Sequence, residues 1–157
     1  MKKTIKRIFA GLMATVVCLL ALPASALPAA SVTADAVVGK PGEEAAVTLS
    51  LANDPGIAYL KLKIGYDAEA LTLIGVENAG LLGGTFTTSE TMDTNPFVLQ
   101  WMSASNSTGN GLLATLTFRI ASDAAGDLPV SVSMEEAYNE SLGDVSVTAT
   151  GGCISVW

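Results

Sequence analysis

The chain has 157 residues, with 15 acidic against 8 basic side chains, a formal charge of -7 and a pI near 4.3. That is the length of one ordinary domain, and the acidic balance argues against a nucleic-acid partner. Histidine is absent and there are 2 cysteines, so Ser/His/Asp or Cys/His catalysis, zinc-finger spacing and His-based metal sites are excluded.

The N-terminus accounts for the high mean hydropathy of +0.47. Residues 2–7 (KKTIKR) are basic, residues 8–22 (IFAGLMATVVCLLAL) are apolar, and Ala24-Ser25-Ala26 is a small-x-small site. This is the layout of a secretory signal peptide, with cleavage expected after Ala26. The apolar run falls short of the roughly 20 residues a spanning helix needs. Val17 before Cys18 disfavours lipidation, so Cys18 leaves with the peptide. Removing residues 1–26 takes away Lys2, Lys3, Lys6 and Arg7 and no acid, leaving 4 bases against 15 acids, a net charge of -11. The remaining bases are Lys40, Lys61, Lys63 and Arg119. Cys153 then has no intrachain partner and is expected to be a small buried hydrophobe with a free thiol. The fold must be held by its core, which a domain of roughly 130 residues can supply by burying about two-thirds of its unfolded surface.

After a short linker over 27–31, period-two alternation punctuated by Gly, Asn, Asp and Pro predicts strand after strand and no helix. The predicted strands are 32–38, 45–52, 57–66, 71–77, 85–90, 97–103, 112–120, 128–134, and a last one over 145–149 and 153–157 with an interruption. Turn chemistry separates them, as in Asn53-Asp54-Pro55-Gly56, Gly83-Gly84 and Asn95-Pro96. About nine short strands at this spacing predict an all-β sandwich. Alternation also assigns faces. In 57–66, Leu60, Leu62, Ile64 and Tyr66 point inward, and Tyr59, Lys61, Lys63 and Gly65 outward. In 97–103, Phe97, Leu99 and Trp101 point inward, which leaves Val98, Gln100 and Met102 outside. Two exposed apolar residues on one strand read either as scattered surface apolarity, normal in monomers, or as a binding patch.

Four segments occur in a telling order: Gly39-x-x-Gly42 before AAVTLSLAN; GIAYLKLKIGYDAEALTLIGVENAG, with Tyr66-Asp67 closing its first strand; LLATLTFRIAS; and the closing GGCISVW. Together they resemble a cohesin domain, the cellulosomal module that receives dockerins. The resemblance covers residues 32–157. It implies a nine-stranded jelly-roll sandwich whose third, fifth, sixth and eighth strands form a flat face for the dockerin helices. Carried over residue by residue, that face holds Tyr59, Lys61 and Lys63; Thr85, Thr87 and Ser89; Val98, Gln100 and Met102; and Ser131, Ser133 and Glu135. The connection from Ser103 to Gly111 has no room for the helix of type II members, so the chain looks closer to type I or a divergent group. Family members often carry acidic or amide groups where this chain has Lys61 and Lys63, which implies a partner outside the best-known specificity. The resemblance implies a monomer, exported and extracellular or at a cell surface, with no cofactor and no membrane contact after cleavage. Calcium would belong to the dockerin.

Two other readings remain beside this one: a carbohydrate-binding module on a similar sandwich, for which Tyr59 and Tyr138 are the available platforms, and a structural surface domain. An enzyme is not expected. Glu43-Glu44 and Glu135-Glu136 are adjacent in sequence, so within a strand their side chains should diverge, and no groove is indicated between them. Asp54, Asp67, Asp123 and Asp127 occupy turns where Asp is favoured for local reasons, and no metal site is expected from them.

Overall fold

The computed structural model describes residues 28–157; the expected export signal over 1–26 lies outside them. Eleven strands form two sheets. They are β1 (Ala30–Ala34), β2 (Ala36–Gly39), β3 (Glu44–Ala52), β4 (Ile57–Tyr66), β5 (Leu71–Asn78), β6 (Thr85–Thr88), β7 (Phe97–Ser107), β8 (Gly111–Ile120), β9 (Gly126–Tyr138), β10 (Val147–Thr150) and β11 (Gly152–Val156). One sheet runs β10-β1-β3-β8-β5 and the other β2-β11-β9-β4-β7-β6. The described residues contain no helix. The all-β jelly-roll sandwich is therefore borne out.

The alternating side chains make the core. Val47, Leu49 and Leu51 of β3, Leu60, Leu62 and Ile64 of β4, Phe97, Leu99 and Trp101 of β7, and Leu116, Phe118 and Ile120 of β8 are buried between the sheets. The Trp101 indole N–H donates to the Asn78 side-chain oxygen at 3.0 Å, so this large ring is buried without an orphaned donor.

The strand count exceeds nine because the first and last expected strands each change sheets. β1 pairs with β3 and β10 in the five-stranded sheet, whereas β2 pairs with β11 in the other. The break falls at Asp35, whose carboxylate accepts the Thr48 N–H at 2.7 Å and the Thr48 hydroxyl at 2.9 Å. The matching break at Gly151 separates β10 from β11. There the backbones touch: a Cβ on Gly152 would lie 1.9 Å from the Asp35 carbonyl oxygen. No side chain fits between them. β1 begins at Ala30, inside the segment read as a linker, and Ala30 is buried and pairs with Val147.

Three of the strand ends that differ from the sequence reading have a visible cause. β6 stops at Thr88, because the Ser89 hydroxyl accepts the Val98 N–H at 2.9 Å in place of a backbone carbonyl. β7 continues to Ser107, which pairs with Ile57 beyond an irregular stretch. β9 continues to Tyr138, because its ladder with β4 resumes after a bulge at Glu135.

Candidate functional site

The third, fifth, sixth and eighth expected strands are β4, β6, β7 and β9, and they lie side by side as β9-β4-β7-β6. The register sets their outward side chains in rows. Tyr138, Tyr59, Met102 and Thr85 form the first row, and Glu136, Lys61, Gln100 and Thr87 the second. Ser133, Lys63 and Val98 form the third, with Ser89 at its end. Ser131 lies opposite Gly65 and donates its hydroxyl to the Gly65 carbonyl at 3.2 Å. Eleven of the twelve sequence-derived positions thus occupy strands of one sheet on its outer side. Ser89, the twelfth, follows β6 and is committed to the backbone of Val98.

The bulge corrects one expectation. Lys61 pairs with Glu136 while Leu62 pairs with Met134, so Glu135 is an extra residue in β9. Glu135 and Glu136 are consequently both exposed beside β4, while Ala137 turns inward and is buried. Their side chains do not diverge to opposite sides as a regular strand would require. The sequence carries the signal: inward residues fall at Val130, Val132 and Met134 and then at Ala137, an odd step that only a bulge accommodates.

Glu135 takes both lysines. Its Oε2 lies 3.3 Å from Lys61 Nζ, and its Oε1 is in direct contact with Lys63 Nζ. Hydrogen bonding to Lys63, and then to Lys61, holds the Glu135 carboxyl below its usual range. The hydrogen bond and charge of Glu135 raise the Lys61 ammonium. Burial, and after it the charge of Glu136, raises the Tyr59 phenol. These are partly exposed pairs, which contribute little to folding, but they fix the direction of two long flexible side chains. Lys61 and Lys63 are therefore balanced within the domain by Glu135 and Glu136.

Val98 and Met102, the two outward apolar residues of β7, do not adjoin. Gln100 separates Val98 from Met102, and Val98 is half-buried. Met102 is 53% exposed and joins Tyr59 and Tyr138, whose ring centroids are 5.7 Å apart with planes tilted by 32°. The two tyrosines expected as possible sugar platforms lean on one another. A cleft opens beside them, lined by Ala58, Tyr59, Met102, Ala104, Tyr138 and Leu142 among others. Leu142, missed in the sequence reading, lies in a turn that alternation does not describe.

Cys153 is half-buried, a partial correction to the buried hydrophobe expected. It pairs with Pro129 across β11 and β9, on the side where Pro129 is exposed. Among the described residues, no three His, Cys, Asp or Glu side chains cluster in a way that could hold a metal ion. None of the helices there is long and apolar enough to cross a membrane, since there are none.

Comparison with known proteins adds the following. A family model described as the cohesin domain matches residues 30–156. Cellulose-binding protein A of Clostridium cellulovorans is 24% identical over 141 residues, covering 85% of this chain. The match spans 8% of that much longer relative. Among solved structures, the sixth cohesin of Acetivibrio cellulolyticus scaffoldin B, in complex with a mutant Cel5 dockerin, superposes with a TM-score of 0.74 at 22% identity, covering 83% of this chain and 100% of that one. A type I cohesin–dockerin complex from Clostridium thermocellum gives a TM-score of 0.74 at 15% identity, covering 83% and 100%.

Proposed function

The chain belongs to the cohesin family, and on that premise we propose that its outer β9-β4-β7-β6 face receives a calcium-loaded dockerin. The domain is a non-catalytic binding module, and it serves to gather dockerin-bearing partners in a cellulosome-type assembly or on a surface. The observation that carries this reading is the rowed face itself. Its outward side chains come from four neighbouring strands whose inward side chains pack into or against the core, so the platform is preformed. Docking helices on such a face costs chiefly rigid-body freedom, and four strands supply the roughly 800 Å² per partner of a standard interface. The direct β7–β8 connection of Thr108–Asn110 supports a type I-like arrangement.

Calorimetry against a panel of calcium-loaded dockerins, including those of the Clostridium thermocellum and Acetivibrio complexes, tests the proposal. At least one dockerin should bind, and a chelator should abolish that binding, because the metal orders the dockerin. Binding to cellulose or xylan with no dockerin response would favour a carbohydrate module instead.

Export is part of the same proposal. The tripartite start of the sequence supports secretion with cleavage after Ala26, which makes the working domain a polyanion of net charge -11. Intact mass of the secreted protein should correspond to a chain beginning at Leu27, and titration should find one thiol per chain. A retained N-terminus would contradict this.

A further inference from the structure

The cleft beside the first row is created by a register jump. Ile57 pairs with Ser107 but Tyr59 pairs with Met102, so residues 103–106 of β7 splay away opposite Ala58 alone. The far wall is the turn after β9, and its shape is over-determined. Asn139 donates its N–H to the Gly143 carbonyl and Leu142 donates to the Asn139 carbonyl, both at 2.9 Å. The Asn139 side-chain oxygen accepts from the N–H groups of Ser141 and Gly143, again at 2.9 Å. A reciprocal pair ties this turn to β7: Glu140 N–H donates to the Asn106 side chain at 2.7 Å, and Asn106 N–H donates to the Glu140 carboxylate at 3.1 Å.

At the tip of this rigid turn Leu142 has φ 61° and is 84% exposed. A leucine in the left-handed region is strained, and a leucine in water forgoes burial; Gly or Asn would be better for folding at that position on both counts. The hydrogen bonds of the turn hold the strained backbone in place, but the side chain itself stays exposed. Resting on the reading that this face receives a dockerin, we propose that the cleft is the anchor pocket for one large apolar side chain on a dockerin helix. Leu142 and Met102 close over that side chain from opposite walls. Two observations identify this occupant. The cleft is continuous with the face, since Tyr59 and Met102 belong to both. Its lining includes the exposed Glu140, so the helix that fits presents its apolar residue with a Lys or Arg about one turn away. The lysine rows, already neutralised by Glu135, set register and contribute less to affinity.

The test takes a calcium-loaded dockerin from the panel that binds the parent domain and compares Leu142→Gly, Leu142→Asn and Met102→Ala with Thr72→Ala, an exposed residue of β5 in the other sheet, as the control. The Leu142 and Met102 variants should each lose about tenfold or more in affinity, while the control stays close to the parent. The Leu142 variants should melt no lower than the parent, because they relieve the left-handed strain; a residue with a merely structural role would not separate affinity from stability in this way. If the parent binds and these variants lose less than that, the anchor pocket is refuted while the dockerin reading stands. If the parent binds no dockerin, the dockerin reading fails and the pocket's assignment fails with it.

Discussion

Leu62→Asp should abolish the folded state at 25 °C, whereas Met102→Asp, 40 residues further along the chain, should leave the melting temperature within a few degrees and sharply weaken dockerin binding. Leu62 is fully buried at the middle of β4, with β9 on one side and β7 on the other. The substitution removes a core side chain, worth about 2–5 kcal/mol, and buries a carboxylate with no partner, which costs several kcal/mol more. Together these approach the roughly 5–15 kcal/mol by which a domain is stable. Met102 occupies the next strand with the opposite phase and already faces water, so a carboxylate there stays hydrated until a partner covers it. Bound, it would be an uncompensated charge in an apolar contact, and affinity should fall by about 2 kcal/mol or more. Far-ultraviolet circular dichroism with thermal melting, together with calorimetry, separates the two. Equal unfolding by both variants would show that the phase of β7 is misassigned.

Gly152→Ala should destabilise the domain by about 3 kcal/mol, lowering the melting temperature by roughly 10 °C. The added methyl would lie 1.9 Å from the Asp35 carbonyl oxygen and 2.8 Å from its carbon, and these are backbone atoms that cannot rotate away. Relief requires the chain to spread where both terminal segments change sheets, which also loosens the Asp35–Thr48 hydrogen bonds. Gly83→Ala is the control, since its nearest neighbour would be the Ser103 hydroxyl at 3.9 Å. Thermal melts of the two variants should differ clearly; similar melting temperatures would mean that the crossing is more pliable than this contact implies.

Strands and faces were legible because period-two alternation is a local property that each residue writes for itself: Leu60, Leu62 and Ile64 had to turn together. Strand pairing is not local, and the differences follow from that. The bulge at Glu135 exists because β9 must keep both Met134 and Ala137 inward against β4, which brings a second carboxylate onto the face. Asp35 falls inside the expected strand 32–38 and Gly151 inside the interruption of the last one, and both are points where the chain leaves one sheet for the other. The ion pairs of Lys61 and Lys63 with Glu135 depended on strands some 70 residues apart in sequence being neighbours. They change the meaning of the two lysines from free cations to occupied ones. Reversing both lysines would now crowd like charges around Glu135 and Glu136, so that double substitution would mix folding with binding. The cleft was invisible for a related reason: it arises where pairing fails between β4 and β7, and no residue type announces that.

The two pairs of terminal strands run parallel, β1 with β10 and β2 with β11. Tension applied to the first and last described residues would draw β1 backwards along its partner β10 and draw β11 forwards along its partner β2. In that geometry the load runs along the strands, so every hydrogen bond of a ladder is strained at once and must break together, whereas a hairpin pulled from its open end peels one bond at a time. Resistance to forced unfolding is set by such a barrier rather than by equilibrium stability. The same crossing that requires glycine at position 152 therefore sets both terminal ladders in shear when the described ends are pulled apart.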